Sequence, residues 1–314
     1  MSRPSLTAVR LARSVALVDA HPDLSALLPP GHGERTRELL RASGLWPAFL
    51  GPLYRSRAYR AALETASRWL TPGILAHLAA RKRFMEEEAR AALAAGAAQV
   101  LVLGGGLDPG ALLLAEAHPS VPIVEVDLPG TAAVKARALV ALGATRANLR
   151  VVGEDLSRRS LRSVLDSLPE WRPERRSLIL AEGLLMYLPR LAVVVLLDQV
   201  FDRTGPGSRL VFSYLGADAR GRPDLGHRGS GLVRAAMRAA GSPLRWGASE
   251  DELRRVLGEG GFALCPDADR FDLQARYLTP AQVGRPSRVP FERVAVAERR
   301  AARPEGRPRR EATA

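Results

Sequence analysis

The sequence predicts an α/β protein: a doubly wound, mostly parallel, seven-stranded sheet with an N-terminal helical cap. Three observations carry this expectation. Five apolar runs, at 99–103, 121–126, 149–153, 177–181 and 209–214, alternate with helical stretches at about 109–118, 130–142, 157–168 and 190–203. Such a rhythm favours parallel strands with helices on both faces. The first run, Gln99-Val-Leu-Val-Leu, feeds directly into Gly104-Gly105-Gly106, a turn through which backbone can approach a ligand closely. The second run ends in Asp127, some twenty residues on, where a nucleotide-binding fold places a carboxylate for ribose hydroxyls.

Ahead of the first strand the chain reads as helical, without strand alternation. Ser5 to Leu17 carries Leu6, Val9, Ala12, Val15 and Ala16 at helical spacing, and Leu27 to Gly33, with Pro29 and Pro30, reads as a loop. Trp46, Phe49, Tyr54, Tyr59 and Trp69 are mostly expected as packing anchors. Thr71-Pro72 is a favourable helix start for a helix running to Ala95 and into the first strand. After Tyr214 an Arg- and Gly-rich insertion extends to Gly247. Ser249 then opens a helix with Glu250, Asp251 and Glu252 in its first turn. Phe262 to Cys265 and Phe291 to Ala297 supply two last, antiparallel strands. The resulting division is a cap at 1–78, a core at 79–298 with an insertion at about 216–247, and a basic tail at 299–314.

Composition excludes several classes. A hydrophobic fraction of 46% supports a substantial core, so general disorder is excluded. The most apolar stretch, Leu184 to Phe201, is broken by Pro189, Arg190 and Asp198, which argues against a membrane span. The N-terminus does not read as a signal peptide. One cysteine, Cys265, excludes an intramolecular disulfide framework and fits a reducing, cytoplasmic setting. The net charge of +13 suggests nucleic acid, but nearly all of it is Arg, with Lys82 and Lys135 the only lysines. That skew fits codon bias, and no nucleic-acid motif accompanies it. Five scattered histidines suggest no metal site.

Ligands of an open α/β sheet bind beyond the carboxyl ends of its strands. Three successive strand ends here carry an acid: Asp127, Asp155 and Glu182. The ordered segments Arg81, Gly104-Gly105-Gly106-Leu107-Asp108, Glu125-Val126-Asp127-Leu128-Pro129, Asp155-Leu156 and Ala181-Glu182-Gly183-Leu184-Leu185-Met186-Tyr187-Leu188 resemble the leucine carboxyl methyltransferase family. That family comprises class I S-adenosylmethionine-dependent O-methyltransferases. The match is good over about 72–215.

The resemblance implies S-adenosyl-L-methionine as cofactor and a role for each residue. Gly104 and Gly106 face the methionine part, Asp127 takes the ribose, Asp155 the adenine amino group, and Leu156 packs near the ring. Arg81 pairs with the cofactor carboxylate. Glu182 either faces the amino-acid end or orients Arg81. Tyr187 touches cofactor or substrate. Each has a plainer reading beside it: a helix cap for Asp127 and Asp155, a surface Arg for Arg81, a core aromatic for Tyr187. His77 and His118 read as ordinary surface or packing residues. The implied acceptor is a small-molecule carboxylate or hydroxyl, or a protein C-terminus. No catalytic residue is assigned.

Two departures stand out. Pro109-Gly110 replace a small hydroxylated residue and Arg after the loop Asp, and Gly105 stands where Ala is commoner. The competing functions are a nicotinamide-dependent Rossmann oxidoreductase, which lacks its Tyr-x-x-x-Lys pair here, and a non-catalytic cofactor-binding protein of the same fold. The N-terminal helices and the 216–247 insertion, with Arg220, Arg222, Arg228 and Arg234, are expected to roof the cofactor site and favour an anionic acceptor.

Overall fold

The computed structural model describes residues 4–70, 73–218, 221–225, 230–265, 270–279 and 292–302. Seven strands form one sheet in the order β3-β2-β1-β4-β5-β7-β6. They are β1 (Gln99–Leu103), β2 (Ile123–Asp127), β3 (Leu149–Gly153), β4 (Ser177–Ala181), β5 (Arg209–Leu215), β6 (Phe262–Leu264) and β7 (Glu292–Arg299). The first five pair in parallel, and β7 runs antiparallel to both β5 and β6. The strand order reverses between β1 and β4. A parallel sheet with that reversal opens a crevice beyond the carboxyl ends of those two strands. Phe291, expected to begin the last strand, lies outside the described residues.

Period-2 alternation distributes the strand side chains to two separate cores. Leu101, Leu103, Val126, Ile179 and Phe212 face one side, where they meet α8 (Leu161–Asp166), α9 (Arg190–Asp202) and α11 (Glu250–Glu259). Val100, Val102, Leu178, Leu180 and Val211 face the other, against α5 (Ile74–Ala94), α6 (Gly110–Ala117) and α12 (Arg270–Tyr277). Both faces are covered, which is why β1 and β4 read as unbroken apolar runs.

The cap consists of α1 (Leu6–Asp19), α2 (His32–Ala42), α3 (Leu50–Arg55) and α4 (Arg57–Leu70). Ser5 caps α1 by accepting from the Ala8 amide. α2 begins at His32, two residues inside the loop expected from the paired prolines, because Gly31 takes a left-handed φ of 73° and turns the chain into a helix. Trp46 meets Tyr54 edge-on and Tyr54 stacks on Tyr59, so these act as anchors, whereas Phe49 is exposed. The Trp69 side chain and Thr71-Pro72 lie outside the described residues.

Cap and sheet are not separately cored. Val9, Ala12, Leu40, Leu50 and Tyr54 pack with Leu107 from the glycine loop and Val134 from α7 (Pro129–Ala141). The expected domain boundary at 78 falls inside the continuous helix α5. No described helix is long and apolar enough to cross a membrane.

Candidate functional site: a cavity over the strand ends

A cavity of about 1240 Å³ opens over the carboxyl ends of β1 to β4. Pockets for one small ligand usually hold ~300–1,000 Å³, so there is room for more than one. Gly104, Gly106, Asp127, Asp155, Leu156, Glu182 and Tyr187 all line it, so seven residues chosen from strand-end position and family resemblance meet in one place. Arg81 lies just behind them, buried.

The glycine loop shows why its residues are small. Gly106 has φ of 60°, and a Cβ there would sit 3.2 Å from the Ala8 Cβ of α1. A side chain would therefore be strained and would push against the cap. Gly105 is set by what lies beneath it. An added Cβ would meet Glu125 Oε1 at 2.6 Å, far inside contact distance. The middle glycine is thus a tight fit over a buried carboxylate.

Asp127 accepts from Gly106 N at 2.7 Å and Leu128 N at 2.6 Å. Each carboxylate oxygen holds one amide, and the Thr131 hydroxyl also bonds to the group. Burial raises its carboxyl above the ordinary range, against the pull of those two amides. Asp155 accepts from the amide and hydroxyl of Ser157 at 3.0 and 2.7 Å. It thereby closes a turn; the expected helix begins later, at Leu161, and Ser160 caps it. The Asp155 carboxyl is held below its usual value by these Ser157 bonds.

Beneath the loop lies a buried ionic array that sequence reasoning missed. Lys135 Nζ donates to both oxygens of Glu125, at 2.7 and 2.6 Å, and to the Asp108 carbonyl at 2.5 Å. Burial pushes the Glu125 carboxyl up to about 7, with Lys135 opposing it. Lys82 Nζ lies 2.5 Å from Asp108 Oδ2 and 2.9 Å from Glu182 Oε2. His32 of the cap meets the same Asp108 Oδ2 at 2.9 Å. Burial alone would raise the Asp108 carboxyl, but His32 and Lys82 hold it well below the usual carboxylate range. Both lysines of an Arg-rich chain thus converge on one loop residue. Their rarity was the available signal, since codon bias towards Arg makes each retained Lys conspicuous.

One of the two roles expected of Glu182, holding Arg81, has its contact in the structure: Glu182 Oε1 accepts from Arg81 Nε at 2.7 Å. Arg81 Nη1 also pairs with Glu292 at the start of β7. Arg81 is therefore not a surface residue, and its Nη2 is buried without a partner. Burial would raise the Glu292 carboxyl, yet Arg81 and His77 bring it down to about 2. His77, expected as an ordinary helical residue, is buried with Nε2 3.7 Å from Glu292. Tyr187 stands on a 3-10 turn, Leu185–Tyr187, and burial followed by the Glu292 charge pushes its phenol up to about 12.

The roof is built from both expected segments. Ser5, Thr7, Ala8 and Leu11 of the α1 region and Gly241, Ser242, Pro243 and Arg245 after α10 (Ser230–Ala239) line the cavity together. Thr7 Oγ1 donates to Ser242 Oγ at 2.8 Å, joining them. Of the arginines expected to charge this roof, Arg222 is paired with Asp218 and neither it nor Arg234 lines the cavity; Arg220 and Arg228 lie outside the described residues. No group of His, Cys, Asp and Glu able to hold a metal occurs among the described residues.

The profile of the leucine carboxyl methyltransferase family matches residues 31–201, from the start of the cap's second helix to the end of α9. The chain belongs to that family. A Mycobacterium avium protein provisionally assigned as an S-adenosyl-L-methionine-dependent methyltransferase is 41% identical over 135 residues, covering 43% of this chain and 42% of that protein. A Mycobacterium marinum relative with the same assignment is 39% identical over 43% of this chain and 41% of its own length. The matched stretch spans about two fifths of these relatives' length. A DUF574 family protein of Streptomyces avermitilis, 18% identical, superposes with a TM-score of 0.56 over 90% of this chain and 99% of that one. A Thermobifida fusca protein provisionally assigned as a methyltransferase, 20% identical, gives 0.54 over 84% and 94%. Both share the fold of this family member.

Proposed function

We propose that this chain binds S-adenosyl-L-methionine across the ends of β1 to β4 and transfers a methyl group to an oxygen of a small-molecule acceptor. The observation that carries the reading is the meeting of Gly104, Gly106, Asp127, Asp155 and Glu182 in one cavity, in a family member whose relatives are assigned that cofactor. The residues fit the group. Asp127 offers an ionised carboxylate in the cavity to a ligand hydroxyl, and the unpartnered Arg81 Nη2 behind it is a buried donor suited to a carboxylate. Bound there, the cofactor would supply a sulfonium methyl, an electrophile that leaves its bonding pair on sulfur.

The protein's part is placement and exclusion of water. The His and Tyr side chains of the cavity are poorly placed to serve as a base. His32 is committed to Asp108, and the Tyr187 phenol stays protonated up to about 12. His118 stands at the C-cap of α6, the end of that helix away from the glycine loop. A carboxylate acceptor is already ionised and needs no base, so this arrangement favours a carboxylate over a hydroxyl. Asp127→Ala tests the cofactor site. Calorimetry should show S-adenosylhomocysteine binding weakened by about 1.5–3 kcal/mol in a folded variant. Unchanged affinity would leave Asp127 as a mere brace of the glycine loop.

A further inference from the structure

Among the described residues, the Lys and Arg side chains that line the cavity are Lys82, Arg90 and Arg245. Lys82 is taken by Asp108 and Glu182, and Arg90 by Glu86. Arg245 has no ion-pair or hydrogen-bond partner for its side chain, which is exposed. A guanidinium left free on a loosely held loop would be unremarked, but this loop is fixed. Arg245 N and Trp246 N both donate to the Met186 carbonyl, at 2.8 and 3.2 Å, and Ala248 N donates to the Leu215 carbonyl at 2.9 Å. Trp246 is buried in the core beside them. The backbone of Arg245 is thereby pinned to the turn that carries Tyr187.

The neighbouring wall is apolar: Leu184, Leu188, Pro189 and Leu191 line the cavity, and Leu191 is 60% exposed although it has oily neighbours. One unanswered planar cation beside an apolar wall is matched by a molecule with an apolar body and a single anionic end. A carboxylate fits the guanidinium fork with two parallel hydrogen bonds. We propose that Arg245 forms an anion subsite of the acceptor pocket, which takes the carboxylate of an amphipathic organic acid whose body lies along Leu184, Leu188 and Leu191. This rests on reading the cavity as a methyltransferase site. It adds the residue that recognises the acceptor and the chemical class recognised.

The test uses the full chain, with decanoate and methyl decanoate below their aggregation limits as probes. They share an apolar body and differ in charge. S-Adenosylhomocysteine is titrated first, and the two probes are then titrated with and without it. Decanoate should bind about tenfold or more tighter than the ester, the lower end for a charged hydrogen-bond pair. Arg245→Met should bring the two affinities within about twofold, leaving S-adenosylhomocysteine binding intact, and Arg245→Lys should retain part of the preference. Equal binding of both probes to the parent protein, or a preference that survives Arg245→Met, would overturn the subsite. Failure of S-adenosylhomocysteine to bind would instead sink the cofactor reading, because the probe ratio measured without it judges Arg245 separately.

Discussion

The floor and the roof of the cavity are built on opposite plans. Under the glycine loop, Glu125, Lys135, Asp108, Lys82, Glu182 and Arg81 are linked by ion pairs and by the Lys135 bond to the Asp108 carbonyl, with Asp108 and Glu182 partly exposed and the rest buried. The roof carries few charges; it is joined across by the hydrogen bond between Thr7 and Ser242, and it leaves Arg245 unanswered. A buried charge must be paired or it destabilises the fold, so the floor is a rigid, preorganised platform. An exposed charge carries no such penalty and is free to serve a ligand. The difference separates the part of the site that must hold a constant group from the part that selects a variable one.

The largest effect should come from breaking the floor. Lys135→Met leaves Glu125 buried without its cation and should cost about 3–5 kcal/mol in urea unfolding at pH 8. The cost should shrink at pH 6, because Glu125, whose carboxyl already sits at about 7, then takes up a proton. A Lys135→Met, Glu125→Leu double variant should recover more than half of the loss. A cost below about 1 kcal/mol at pH 8 would show that the floor is solvated and not the platform described.

A smaller effect should appear in acid. The Glu292 carboxyl sits at about 2 in the folded chain, against 4.5 for an unperturbed group. A depressed folded value means that its contribution is complete above about pH 4.5 and fades as the pH falls towards 2. The difference corresponds to about 3 kcal/mol, so unfolding free energy should fall through that window, and less steeply in Glu292→Gln. Parallel acid profiles for the two proteins would remove Glu292 from the array.

The smallest effect belongs to the roof. Thr7→Val deletes the bond to Ser242 and should lower stability by about 0.5–1.5 kcal/mol without changing S-adenosylhomocysteine affinity in calorimetry. A clear loss of that affinity would mean that roof and floor are one unit, and the contrast between them would fail.

The sequence by itself determined the sheet, the glycine loop and the acids at the strand ends. Each of these is written locally: in a period of two, in a glycine after an apolar run, in an acid at a fixed remove. It also read the two closing antiparallel strands, since their apolar runs are as local as the rest. Only the tertiary structure decided which charges meet. Arg81 and Glu292 are 211 positions apart, and His32 and Asp108 are 76 apart. No periodicity links residues at such separations, and an Arg-rich surface hides the few cations that are buried. The same reason explains why Arg245, and neither Arg222 nor Arg234, lines the cavity: backbone bonds to Met186 and Leu215 hold that stretch of chain under the roof. Local chemistry chose the elements, and burial chose the partners, because an ion pair withdrawn from water persists only where folding closes both charges into the same dry space.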